Sequence, residues 1–267
     1  MKLAVIGNPI SHSKSPFIHQ EFAKEAGWEI SYEKVLASKE TGGFAACINE
    51  LKAKGFEGCN VTLPFKEEAY ALADSCSDRA GRARAANTLK FNQDGSIFAD
   101  NTDGIGLIRD IQNNIGYSLN NKRILICGAG GAVRGILFPI LEQCPASLVV
   151  ANRTYDKALN LAKEFSEVMS IEASTYSDLA YREFDVIIEG TSALKEALSL
   201  PESLRLSPNS LYYDLKYKEI KNHGATYAHN GIGMLVEQAA ESFKLWTGFM
   251  PQTQNVIAKF IKSLMQA

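Results

Sequence analysis

Short β-branched or apolar runs alternate with stretches of helical periodicity along this chain. Leu3–Ile6, Ser31–Leu36 and Gly58–Leu63 read as strands, while Phe17–Ala26, Phe44–Lys54 and Glu67–Asp74 carry apolar residues at helical spacing. That βαβα rhythm predicts a mainly parallel sheet, because parallel neighbours need a crossover long enough to hold a helix. Phe17, Phe22 and Phe44 fall at helical spacing and are assigned to packing. Asn87–Phe91 and a run ending at Ala99 flank a turn at Asn92–Gly95, and a helical pattern then runs from Asp103 to about Ile115. A second βαβ series follows: a strand at Arg123–Cys127, a glycine turn, a helix to about Gln143 and a strand at Ser147–Ala151. Asp185–Ile188 and Leu211–Leu215 read as later strands of the same sheet. From Gly233 a periodic apolar stretch reaches Trp246, and Pro251 suits the first turn of a last helix ending near Met265.

The chain has 267 residues, more than one core usually organises, so two domains are expected. With 46% hydrophobic and 22% charged residues and no long apolar run, it reads as an ordinary globular chain with no membrane partner. Met1–Gly7 is too short, and too soon interrupted by Asn8 and Pro9, for a signal peptide, so a cytoplasmic location is expected. Acidic residues number 30 against 28 basic ones, with no basic cluster, which excludes the usual electrostatic footprint for nucleic acid. The five cysteines include no CxxC pair and lie far from histidines at ligand spacing, so no metal is expected and buried free thiols are. His12, His19, His223 and His229 have no spaced partner for a metal or a triad and read mostly as surface or loop residues.

The glycine turn carries the first chemical signal. Gly128-Ala129-Gly130-Gly131-Ala132 stands between a buried strand and a helix, where exposed N–H groups and the helix dipole hold a pyrophosphate. Val133 takes the place of the third glycine of GxGxxG, leaving Gly131 and Ala132 to allow close helix-to-sheet packing. At the end of the next strand, where an NAD-binding unit carries Asp or Glu, stand Asn152, Arg153, Thr154 and Lys157. A guanidinium forks onto phosphate oxygens, so this set favours NADP over NAD. Thr154 doubles as an N-cap.

The first domain supplies polar groups at strand ends. Ser13 and Ser15 precede a helix with Pro16 at its start; alone they read as caps, and they also suit a carboxylate ligand. Asn60, Thr62 and Lys66 follow the third strand, and Asn87-Thr88 and Asn101-Thr102-Asp103-Gly104 follow later ones. Amides offer donors and an acceptor in fixed geometry, so these residues form a polyol-reading set with one lysine and one carboxylate.

Asn8-Pro9 through Ser15-Pro16, Asn60 through Lys66, Asn87-Thr88-Leu89, Asn101 through Gly104 and the Gly128–Ala132 turn together resemble the shikimate dehydrogenase family, in order and spacing along nearly the whole chain. The resemblance implies an α/β fold of two domains. A substrate-binding and catalytic domain spans 1–102, completed by C-terminal helices at 237–267, and a Rossmann-type NADP-binding domain spans 103–236, with a hinge near Asp103. It implies reversible NADPH-dependent reduction of 3-dehydroshikimate to shikimate in chorismate and aromatic amino acid biosynthesis, by a monomer or homodimer. Lys66 is then the acid/base and Asp103 its partner. Ser13, Ser15, Thr62, Asn87 and Gln238 hold the substrate, with Asn60 and Tyr217 nearby. NADP lies on Gly128, Ala129, Gly130, Gly131 and Ala132 and on Asn152, Arg153, Thr154 and Lys157, with Asp78, Thr191, Leu215, Gly231 and Met234 lining the cofactor side.

Two segments depart from the family pattern: Gly190-Thr191-Ser192-Ala193-Leu194, where Asn-Ala-Thr-Pro is more usual, and the short stretch from Tyr217 to Gly231. The residues also fit a relative acting on quinate or an aminated analogue. A catalytically idle protein that binds NADP or shikimate as a signal is the rival from another class, and the intact Lys66 and Asp103 argue against it.

Overall fold

Among the described residues, two six-stranded sheets organise the chain, one in each of two units. The computed structural model describes residues 1–167, 169–191, 200–217 and 223–265. The first unit joins Met1–Arg109 to Gly233–Ala267, and the second is Asp110–Ile232. The fold is α/β with a Rossmann-like second unit, as the alternating pattern predicts.

In the first unit the chain runs through β1 (Lys2–Gly7), α1 (Ser15–Ala26), β2 (Ser31–Leu36), α2 (Gly43–Ala53), β3 (Gly58–Val61), α3 (Lys66–Leu72), β4 (Ser75–Cys76), α4 (Asp78–Ala83), β5 (Thr88–Phe91), β6 (Ile97–Asp100) and α5 (Asp103–Arg109). The sheet order is β2-β1-β3-β5-β6-β4. β1 pairs in parallel with β2 and β3, whereas β5 runs antiparallel to β3 and β6. Phe44, Ile48 and Leu51 of α2 pack with Ala4, Ile6, Val61 and Phe65.

The second unit continues through β7 (Arg123–Cys127), α6 (Gly131–Leu141), β8 (Ser147–Ala151), α7 (Tyr155–Glu164), β9 (Ile171–Ser174), β10 (Glu183–Glu189), β11 (Arg205–Asp214) and β12 (Tyr227–Asn230). Its sheet, ordered β12-β11-β10-β7-β8-β9, is parallel throughout. The order reverses between β7 and β10, a topological switch point. Strands β9 and β12 escape the sequence pattern because they are short edge strands with little fully buried surface.

Two last helices, α8 (Ile232–Thr247) and α9 (Gln254–Met265), return to the first unit. Val236, Ala239, Ala240 and Phe243 of α8 pack on Ile18, Phe22 and Ala23 of α1. Trp246 Nε1 donates to the Leu89 carbonyl at 2.9 Å. Pro251 stands ahead of α9 rather than in its first turn; the helix begins after Thr253, whose hydroxyl donates to Glu237 at 2.6 Å.

The division between units falls after Arg109 and after Ile232, not at Asp103 and 236. Helix α5 stays with the first unit because Gly106 lets it lie directly on α8: a Cβ there would sit 2.7 Å from Gln238. Nor is 103–115 one α-helix. After Arg109 the backbone widens into a π-helical turn at Asp110–Asn114, where Asp110 accepts the Tyr213 hydroxyl at 2.6 Å.

All five cysteines are free thiols. Cys59 and Cys127 are buried and Cys47 half-buried, but Cys76 and Cys144 are exposed, against the expectation of burial. Among the described residues no group of side chains is set to hold a metal ion, and no helix is long and apolar enough to cross a membrane. Residues 192–199 and 218–222, which carry part of each of the two departures from the family pattern, lie outside the described residues.

Candidate active site

Neighbouring strands deliver the polar groups of the first unit to one edge. β1 and β3 lie side by side, Ile6 opposite Val61, so the loops that follow them meet. The Asn8 N–H donates to the Leu63 carbonyl at 3.0 Å and Thr62 N–H to Ile6 at 2.8 Å. The Ser13 hydroxyl accepts the Ser15 N–H and donates to the Ser15 hydroxyl, both at 3.3 Å. Ser13 therefore acts as the local cap expected of it, while the formal N-cap Lys14 contributes no side-chain bond. Thr62 stays half-exposed.

Lys66 opens α3 and Asp103 opens α5. The Lys66 ammonium donates to Asp103 Oδ2, with the two side chains 13% and 8% exposed. The other carboxylate oxygen accepts from Asn87 Nδ2 at 2.8 Å. That amide nitrogen also reaches Thr102 Oγ1 at 2.9 Å and Gln238 Oε1 at 3.0 Å, and Asn87 Oδ1 accepts the Thr102 N–H at 2.9 Å. Backbone bonds fix the frame, since Ala86 N–H donates to the Lys66 carbonyl and Asn87 N–H to Asp100. Lys66, Asp103, Asn87 and Gln238 are thus brought together from α3, α5, the start of β5 and α8.

Asn60 is placed differently from its expected role. It is 6% exposed, and its Oδ1 accepts the Tyr32 hydroxyl at 2.6 Å and faces His19 Nε2 at 3.1 Å. Its Nδ2 donates to the Asn87 carbonyl, Thr88 Oγ1 and Ser242 Oγ at 3.1 to 3.2 Å. The amide is saturated from within, so Asn60 supports Asn87 and Thr88 rather than offering groups to a ligand. His19, read from the sequence with the surface histidines, is fully buried and stacked on Tyr32, ring centroids 4.5 Å apart. Burial lowers its pKa to about 3, keeping the ring neutral, and the bond to an amide oxygen puts the proton on Nε2. Thr102 was read as part of the polyol-reading set and serves here as a brace for Asn87. Ser242, His19 and Tyr32 were not singled out as site residues; of these Ser242 left a trace, standing four residues beyond Gln238 on the same helical face.

In the second unit the glycine turn lies between β7 and α6. Gly128 has φ +108°, and a Cβ there would stand 2.9 Å from the Gly190 carbonyl, so both conformation and space demand glycine. Gly130 and Gly131 have no atoms within 4 Å of a would-be Cβ; the α6 N-terminus is open above them, leaving room for an anion on its N–H groups. Close packing of helix on sheet therefore does not come from Gly131. Val133 is fully buried, and the glycine that makes room for it is Gly190, whose Cβ would meet Val133 Cγ2 at 2.5 Å.

At the end of β8, Asn152 Nδ2 donates to the Thr154 carbonyl at 2.9 Å. Thr154 is the N-cap of α7, though its side chain makes no capping bond, and Arg153 and Lys157 are exposed beside it. These residues and the open glycine turn fit a phosphorylated dinucleotide: backbone donors at the end of β7, and cations rather than a carboxylate at the end of β8.

Family models match along the chain: the shikimate dehydrogenase substrate binding domain at residues 5–89, the shikimate / quinate 5-dehydrogenase at 110–209, and the shikimate 5'-dehydrogenase C-terminal domain at 231–259. The sequence is 48% identical over 265 residues, 96% of each chain, to a Chromobacterium violaceum protein named shikimate dehydrogenase (NADP(+)). The chain belongs to the shikimate dehydrogenase family. It is also similar to solved structures of the Ael1 enzyme of Pseudomonas putida (42% identity, TM-score 0.86, 97% of each chain) and of shikimate 5-dehydrogenase from Thermus thermophilus in complex with NADP(H) and shikimate (31%, TM-score 0.84, 97% of each chain).

As a shikimate dehydrogenase family member, the chain divides its expected contacts between the units. Tyr217 belongs to the second unit and the other expected substrate residues to the first; Asp78 and Met234 belong to the first unit and the other expected cofactor residues to the second. Asp78 is an exposed residue opening α4, Met234 is buried in α8, and Gly231 donates its N–H to the Lys216 carbonyl at 2.9 Å.

Proposed function

We propose that this chain interconverts 3-dehydroshikimate and shikimate with NADP, using Lys66 as the acid/base and Asp103 as its partner. The observation that carries the proposal is the part-buried Lys66–Asp103 pair, with Asn87 holding the carboxylate from its other side. When bound, NADPH supplies the hydride that reduces the ring carbonyl. Lys66 donates a proton to the carbonyl oxygen as negative charge develops there, and takes it back in the oxidative direction. Asp103 fixes the ammonium and is itself fixed, so the donor is aimed before the reaction begins. Ser13 and Ser15 suit the ring carboxylate through their hydroxyls, and Thr62 and Gln238 suit the ring hydroxyls, with Tyr217 completing the set; Asn87, whose amide is engaged by Thr102, Asp103 and Gln238, would join them by exchanging one of those partners for a ring hydroxyl. Asn60 serves as a support for Asn87. On the cofactor side, Gly128–Ala132 would take the pyrophosphate and Asn152, Arg153, Thr154 and Lys157 the 2′-phosphate, with Asp78, Thr191, Leu215, Gly231 and Met234 around the remainder. The reading includes a cytoplasmic enzyme working as a monomer or homodimer, with the substrate domain at 1–109 and 233–267.

Reduced-nicotinamide absorbance tests it, with shikimate and NADP in the first cuvette and NAD, quinate and the Lys66→Ala variant in parallel. The expected outcome is fast reduction with shikimate and NADP, slowed by about 10²–10⁴-fold in Lys66→Ala. An absence of turnover with every pair overturns the proposal.

A further inference from the structure

Beyond the glycine turn, the carboxyl ends of β10 and β11 hold a charged pair, Glu189 and Lys216, to which the proposed function gives no work. Glu189 ends β10 in register with Cys127 of β7 on one side and Asp214 of β11 on the other. Its side chain is 8% exposed. Oε1 accepts Thr191 Oγ1 at 2.9 Å and Lys216 Nζ at 3.0 Å, and Oε2 accepts the Tyr212 hydroxyl. Burial pushes the Glu189 pKa up, but these three bonds outweigh it and hold the carboxyl below its ordinary value. Lys216 is clamped as well. Its ammonium also reaches Thr191 Oγ1 at 3.4 Å, its N–H donates to Asp214 Oδ1 at 2.9 Å and its carbonyl accepts from Gly231.

Such a pair contributes little to stability, because desolvation and the ordering of a long side chain offset most of the Coulomb gain. Its position is what matters. Gly190, the next residue after Glu189, lies against Gly128, so the pair borders the β7–β10 switch point where open α/β sheets take their ligands. The two halves of a dinucleotide lie on opposite sides of that point. The adenosine half belongs to the β8 side, with Arg153 and Lys157, and the nicotinamide half to the β10 side, with Lys216.

We infer that Lys216, held by Glu189 and Thr191, is a specificity residue for the nicotinamide half of the dinucleotide, donating to an oxygen of its ribose or carboxamide. The inference rests on the NADP reading above. Glu189 offsets the lysine charge, so the pair reads a neutral oxygen acceptor rather than a further phosphate. Among the described residues two of the three ammonium donors have acceptors, which leaves one for the ligand.

Titration calorimetry on the full-length protein with NADPH and with adenosine 2′,5′-bisphosphate, which lacks the nicotinamide half, tests it. Lys216→Met is expected to weaken NADPH by about tenfold, the loss of one charge-assisted hydrogen bond, and to leave the bisphosphate within about twofold. Lys216→Arg should recover most of the loss. A merely structural lysine would weaken both ligands alike or neither, and either result overturns the inference. The binding arm needs no turnover. A protein that shows the NADPH-selective loss but does not oxidise shikimate would overturn the substrate reading and uphold this one.

Discussion

Asn87 donates to Asp103 Oδ1 at 2.8 Å while the Lys66 ammonium holds Oδ2. One amide thus sets the orientation of the carboxylate that aims the proposed proton donor. Asn87→Ala removes that hold and also strands the Thr102 N–H, which the amide oxygen accepts. Because the site is buried, thermal unfolding should show a loss of about 1–3 kcal/mol. Steady-state kinetics on the folded fraction should show kcat reduced more than KM is raised, since an aimed donor matters most at the transition state. A change confined to KM would mean that Asn87 acts only as a ligand contact.

The glycines of the cofactor turn should separate into two kinds. Gly128→Ala forces a methyl group 2.9 Å from a backbone carbonyl at φ +108°, so it should lower both the melting temperature and NADPH affinity. Gly130→Ala meets open space at φ −97°, ψ −176°, which alanine adopts freely. Its melting temperature should stay at the wild-type value while NADPH binding weakens about tenfold or more, because the methyl stands where the pyrophosphate would approach. Parallel melting curves and NADPH titrations check both; unchanged NADPH affinity in Gly130→Ala would remove the phosphate assignment.

Coenzyme choice should sit at the end of β8. Arg153→Ala is expected to raise KM for NADP by about 10–100-fold, the worth of a charge-assisted phosphate contact, and to leave KM for NAD nearly unchanged. The ratio of kcat/KM for the two coenzymes measures it. An equal loss with both would show that the guanidinium does not read the 2′-phosphate.

His19 should make stability depend on pH. Its pKa is about 3 in the fold and about 6.5 in the unfolded chain, so the unfolded state alone binds a proton between those values. The depressed pKa means that stability is complete above pH 6.5 and falls as the pH is lowered, by at most about 1.4 kcal/mol per unit. His229, half-buried and also shifted down by burial, adds to the same window. The carboxylates held low by arginine, such as Asp185 beside Arg123, lose their contribution only at more acid pH. Denaturant unfolding between pH 7 and 5 should therefore show a shallower slope for His19→Phe than for the wild type. Equal slopes would mean that His19 takes up a proton in the folded state.

Much of the fold was legible from local pattern. The β1, β3, β7 and β8 segments and the helices after them follow directly from buried runs and helical spacing, β2 from its short apolar and β-branched pattern although one of its six residues is buried, and the glycine turn announced a dinucleotide site through residues adjacent in sequence. The edge strands β9 and β12 and the two-residue β4 were not legible, since two to four residues with at most one of them buried present no pattern to read. The boundary after Arg109 was equally hidden, because it depends on Gly106 meeting α8, more than a hundred residues away.

The sequence by itself determined the chemical inventory: a lysine and a carboxylate at helix starts, amides at strand ends, and a turn of glycines followed by a cationic rather than an acidic strand end. Those facts are local, set by residue type and by backbone conformations that neighbouring residues impose. Only the tertiary structure decided what each group does. It turned Asn60 inward to a saturated amide, buried His19 as a neutral ring, recruited Ser242 from the far end of the chain, and let Gly190 make room for Val133. Hydrogen-bond partners and burial are set by packing between distant segments, and a polar side chain of the same type serves as ligand contact or as internal brace according to which of its donors and acceptors that packing has already satisfied.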